Sequence, residues 1–107
     1  GLQTQLIGEW EGAYSDSLSI ELFCSDNGVL ELKENGIITI KGNYFLNGNL
    51  LTVNYSEGGN NDFNHYQNWT IDIQDSQLKM VQYLPIPSTT DLQIKIYNLK
   101  RKDSTTK

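Results

Sequence analysis

Three Asn-Gly pairs in a chain of 107 residues, Asn27-Gly28, Asn35-Gly36 and Asn47-Gly48, narrow the folds open to it. Both residue types tolerate positive φ, so Asn-Gly between apolar runs is the strongest short hairpin signal. Gly58-Gly59-Asn60 and Asp75-Ser76 add breaks at similar spacing. Between the breaks, apolar and polar residues alternate with the period of a strand that has one buried and one wet face. No window carries a helical stripe. The two prolines, Pro85 and Pro87, fall in one connection, where a missing N–H does little harm. The expectation is an all-β fold of about eight short strands, a barrel or a sandwich. Tight sequential turns favour an antiparallel up-and-down meander β-barrel.

The alternation assigns faces. In the opening segment Leu6, Gly8, Trp10, Gly12 and Tyr14 point one way, and Ile7, Glu9, Glu11 and Ala13 the other. Two glycines around Trp10 make room for its ring to lie across neighbouring backbone. The second strand sets Leu18, Ile20, Leu22 and Cys24 against Ser19, Glu21, Phe23 and Ser25. Val29 to Lys33 and Ile37 to Lys41 flank the Asn35-Gly36 turn. Asn43 to Asn47 puts Tyr44 and Leu46 together, and Leu50 to Tyr55 follows. Trp69, Ile71 and Ile73 share a face, as do Leu78, Met80, Gln82 and Leu84. In the last strand Leu92, Ile94 and Ile96 are expected inward, with Gln93, Lys95 and Tyr97 outward.

This length makes one domain, residues 1–107, with 1–4 and 102–107 expected to fray. It buries roughly two-thirds of its unfolded surface, enough for a single modest core. Eight basic against thirteen acidic residues leave a net charge of −5. That disfavours nucleic acid and anionic membrane surfaces, which need clustered Lys and Arg. The basic cluster Lys100-Arg101-Lys102 stands alone near the end. No apolar run is long enough to cross a bilayer as a helix. One cysteine excludes an internal disulfide.

Catalytic signals are weak. His65, the single histidine, lies in a polar stretch and reads as a solvated loop side chain, since one histidine is by itself weak evidence for acid–base catalysis. Cys24 shares the apolar face of its strand and reads as a buried structural thiol, since reactive thiols need exposure and a nearby positive charge. One His and one Cys are too few for zinc. Asp62 with Asn60, Asn61 and Asn64 lacks the spacing of a calcium loop. The carboxylates Glu9, Glu11, Glu21, Glu31 and Asp72 fall mostly on wet faces, whereas glycoside hydrolysis needs two converging in one cleft. No phosphate-binding glycine loop is present, and no cofactor or metal is expected. The aromatics say more. Tyr14, Tyr44, Tyr55, Tyr66, Tyr83, Tyr97, Phe63 and Trp69 suit a cup or a partner surface, although sheets also favour Tyr for cross-strand pairing. The segment 56–68 has the glycines, asparagines and aromatics of a recognition loop.

Gly8-Glu9-Trp10 on the first strand resembles the Gly-x-Trp signature of lipocalins and their calycin relatives. Arg101, after Tyr97-Asn98-Leu99-Lys100, stands where that superfamily has a basic residue over the indole, and Thr90-Asp91 echoes the turn before its final strand. The chain is similar to short lipocalin-like domains of bacterial envelope proteins. It is shorter than a typical lipocalin and lacks the usual disulfide and outer helix. The resemblance implies that Gly8, Trp10 and Arg101 close one end of the barrel. It implies an extracytoplasmic location, in the periplasm, on the outer membrane or secreted, and the start at Gly1 is expected to follow a removed signal or lipoprotein segment. The expected role is binding without catalysis. A small, partly apolar ligand would enter the barrel or its mouth, lined by Trp69, Ile71, Leu78, Met80, Leu92, Ile94 and Ile96 with Phe63 and Tyr66. The alternative is a barrel with a filled interior that contacts an envelope protein or a glycan.

Overall fold

Eight antiparallel strands follow one another in chain order and close into a barrel in the computed structural model, which describes residues 1–56 and 64–102. They are β1 (Gly8–Ser15), β2 (Leu18–Cys24), β3 (Val29–Glu34), β4 (Ile37–Asn47), β5 (Leu50–Ser56), β6 (His65–Gln74), β7 (Gln77–Pro85) and β8 (Leu92–Arg101). A short helix, α1 (Leu2–Leu6), precedes them. It takes up residues 2–4, where the sequence suggested fraying, and Leu6, which the alternation had assigned to the opening strand. Its anchor is Leu6, which is fully buried, with Leu2 packed on the core.

Turn chemistry sets the register. Asn35 and Gly36 both have positive φ, 51° and 81°, and join Glu34 to Ile37 as a two-residue hairpin loop of the I′ kind. The next turn differs from the Asn-Gly reading. Asn47 stays in the strand opposite Leu50, and Gly48-Asn49 forms the loop. Only the first of that pair has positive φ, at 61°, which is the II′ pattern. Asp75, with φ 56°, opens the Asp75-Ser76 loop between Gln74 and Gln77.

The segments 37–41 and 43–47, read apart in the sequence, form one eleven-residue strand. Gly42 joins them because the neighbouring strand crosses very close. A Cβ there would press on the Asn54 carbonyl oxygen and lie 2.8 Å from Tyr55 Cα.

The inward rows make one core. Trp10, Ile20, Leu22, Cys24, Leu30, Leu32, Tyr44, Leu51, Val53, Trp69, Ile71, Leu78, Met80, Tyr97 and Leu99 are all buried within it. β8 reverses the expected faces. Tyr97 and Leu99 are buried, whereas Leu92, Ile94 and Ile96 are 57%, 54% and 38% exposed. The reason is parity. Arg101 lies directly opposite Trp10 in the β1–β8 ladder, and directly opposed residues share a face. Arg101, Leu99, Tyr97 and Lys95 therefore all point in.

Closure is incomplete at the upper end. The β1–β8 ladder stops at Gly12 and Leu99, and the β6–β7 ladder at Thr70 and Val81. β7 and β8 remain paired up to Pro85 and Leu92. They leave the wall as a two-stranded ribbon beside the mouth.

Candidate functional site

The lower end is sealed by backbone capture. A helix leaves its last carbonyls without intrahelical donors, and here Trp10 and Arg101 supply them. Trp10 Nε1–H donates to Leu6 O at 2.9 Å. Arg101 donates from Nη1 to Ile7 O at 2.9 Å and from Nη2 to Gln5 O. The guanidinium carbon sits 4.1 Å from the centre of the Trp10 ring system, within cation–π range. Gly8 makes this possible. Its φ is 128°, and a Cβ there would lie 2.8 Å from Arg101 Nη1.

The upper end is a cup of about 200 Å³ lined by Leu32, Glu34, Thr39, Ile40, Tyr55, Gln67, Trp69, Lys95 and Tyr97. Its floor is aromatic. Trp69 and Tyr97 have ring centroids 5.0 Å apart, and Tyr14 meets Tyr97 edge-on at 5.6 Å. This row runs from β1 across β8 to β6, above the points where the β1–β8 and β6–β7 ladders end.

The rim is polar. Gln67 accepts from Trp69 Nε1 at 3.2 Å and donates to Tyr55 Oη at 3.4 Å, and Tyr55 lies 5.6 Å from the His65 ring. Tyr97 Oη donates to Glu34 Oε2 at 3.4 Å. Burial, followed by the Glu34 charge and hydrogen bond and by Tyr14, pushes the Tyr97 phenol far above its ordinary value. It therefore remains a donor at any physiological pH. Lys95 Nζ lies 5.2 Å from the Tyr97 ring centre and 5.8 Å from that of Tyr14. Among the described residues no carboxylate pairs with it. The cup thus offers an apolar floor, one ammonium, one carboxylate and one amide.

Among the described residues expected to line a ligand site, Trp69 alone borders the cup. Ile71, Leu78 and Met80 are 2% exposed or less and fill the barrel beneath it. Tyr66 is 64% exposed, on the outward row with Thr70 and Asp72, and Ile94 also faces out. For Ile94 this corrects the expected face, and neither residue borders the cup. Phe63, and most of the segment 56–68, lie outside the described residues. The sequence reading missed Glu34, Gln67 and Lys95. A signal existed for Glu34, which follows Leu30 and Leu32 on an apolar row, but not for Gln67 and Lys95, whose rows also carry His65 and Gln93 with Arg101.

Cys24 is fully buried, and burial pushes its thiol up to about 12. On the outer surface Lys102 pairs with Glu9 at 3.9 Å and Glu21 at 3.6 Å, and Lys41 with Glu31 at 3.6 Å. Such half-exposed pairs add little stability. Among the described residues no cluster of three or more His, Cys, Asp or Glu is placed to hold a metal ion, and no helix is long and apolar enough to cross a membrane. Comparison with known proteins finds no matching family model, curated protein or solved structure.

Proposed function

We propose that this barrel binds a small, partly apolar ligand in the cup at its open end, and that it does so without catalysis. The observation that carries the reading is the cup itself, a concave site with a Trp69–Tyr97 floor and Glu34, Gln67 and Lys95 converging on it. Binding sites combine apolar area with a few placed polar groups in this way. Typical drug-sized pockets are about 300 Å³ or more, so this one suits a compact molecule or the end of a longer one. Membership of the lipocalin-like calycin superfamily, a bacterial source and an extracytoplasmic location belong to the same proposal. Arg101 lying over Trp10 is what supports the first, since it is the arrangement the Gly-x-Trp resemblance implies.

The packed interior below the cup favours a second reading, a filled barrel whose outer surface or rim contacts an envelope protein or a glycan. Fluorescence separates the two. Trp69 lies at the cup and Trp10 at the sealed end, so anilinonaphthalene sulfonate bound in the cup should quench Trp69 and leave Trp10 emitting. The quenching should vanish in Trp69→Phe, with the blue-shifted Trp10 emission showing that the fold is kept. Unchanged emission up to probe saturation, or equal quenching in that variant, counts against the cup.

A further inference from the structure

The outer face of the β7–β8 ribbon is apolar where the outer faces of most other strands carry a charge. Val81 lies opposite Ile96, Tyr83 opposite Ile94 and Pro85 opposite Leu92, and directly opposed residues share a face. This is the outward face, because the alternate row carries the buried Gln82 and Tyr97. Tyr83, Leu92 and Ile94 are each more than half exposed, Ile96 is 38% exposed, and Pro85 is exposed beside them. No charge falls on these rows between Lys79 and Pro85, or between Leu92 and Lys100. Elsewhere the outward rows carry Glu9, Glu11, Glu21, Glu31, Lys41 and Asp72. A two-stranded ribbon with free edges is marginal in water alone, and this one exposes its apolar side chains where neither β1 nor β6 supports it.

We propose that this face packs on the same face of a second copy of the chain, about a two-fold axis that passes near Ile94. Three considerations favour that occupant. Five side chains of this size present on the order of 500 Å² of surface per copy, at the high end for a free monomer. Paired, they bury on the order of 1,000 Å² in total, the lower bound for a specific interface. A patch without charge can be apposed to itself without like-charge repulsion, although each copy carries a net charge of −5. That same charge disfavours an anionic membrane as the covering surface. The interface is isologous, so each Ile94 meets the partner's copy of the same patch.

Sedimentation velocity of wild type, Ile94→Lys and Phe45→Lys, over roughly 5 to 500 µM, tests this across the range expected of a small interface. Both substituted residues are exposed, at 54% and 59%, so both variants should keep the wild-type far-ultraviolet spectrum and melting temperature. The expected result is a concentration-dependent wild-type dimer, weakened about tenfold or more by Ile94→Lys and unchanged by Phe45→Lys. A wild type that stays monomeric throughout overturns the proposal. So does a dimer that Ile94→Lys leaves intact, or one that Phe45→Lys weakens equally. The outcome does not depend on whether the cup binds a ligand.

Discussion

Trp10 and Arg101 are tied to the same short stretch of backbone, so losing either costs more than packing. Arg101→Ala removes the cation over the indole and leaves the Gln5 and Ile7 carbonyls without their donor. A destabilisation of about 2 to 3 kcal/mol is expected from these terms together, measured by urea unfolding. Arg101→Lys keeps the charge but not the planar fork that reaches two carbonyls at once, and should recover less than half of the loss. A fully neutral effect of Arg101→Ala would mean that α1 does not seal the barrel. Cys24 offers a pH test. Its thiol ionises near 9.0 when unfolded and near 12 in the folded protein. The raised folded value means that stability is fully present below pH 9 and is lost as pH rises toward 12. Within that window the Cys24 contribution approaches about 1.4 kcal/mol per pH unit. Tyr97 and Tyr44, also raised by burial, act in the same direction. Unfolding free energies at pH 8, 10 and 11 should therefore decline, and Cys24→Ala should show a shallower slope. In native protein at pH 8 the thiol should resist iodoacetamide and react only on unfolding.

At the scale of strands, β4 and β8 carry the sharpest tests. Gly42→Ala drives a methyl into the Asn54 carbonyl and Tyr55. Because the obstacle is backbone, it should cost about 2 kcal/mol or more, read as a lowered melting temperature. Gly36→Ala meets no neighbour within 4 Å, and its cost should be limited to the strain of positive φ, about 1 kcal/mol. These strands also mark how far the sequence could be read. Turn residues and alternation were enough for a meander of eight strands, and they placed the inner rows of β2, β6 and β7. Alternation failed on β8 because both of its rows contain large apolar residues. Period alone gives two rows without saying which faces in. The missing constraint was long-range: Arg101 reaches Trp10, and counting back by twos from Arg101 brings Tyr97 inward. The cup was half legible. Its aromatics stood out by composition, whereas Glu34, Gln67 and Lys95 looked like ordinary strand polar residues until the rows they occupy were known. The switch from Asn47-Gly48 to Gly48-Asn49 reflects register, since pairing Asn47 with Leu50 leaves a different pair to turn the chain.

Across the whole molecule, the two ends of the barrel differ in kind. One is closed by a helix whose terminal carbonyls are taken up by side chains. The other has ladders that stop early, stacked aromatics above their ends, and polar groups around a small hollow. The solid packing of Ile71, Leu78 and Met80 between them leaves the interior filled below Trp69. The two tryptophans report on these ends separately, because Trp69 Nε1–H is held by Gln67 and Trp10 Nε1–H by Leu6. The decisive measurement is a titration of ¹⁵N-labelled protein with anilinonaphthalene sulfonate, following the two indole N–H signals. Ligand binding in the cup predicts a saturable shift of the Trp69 signal with Trp10 unmoved, and loss of that shift in Lys95→Met or Gln67→Ala. A Trp69 signal that stays fixed to the limit of probe solubility, or a Trp10 signal that moves instead, would contradict the account.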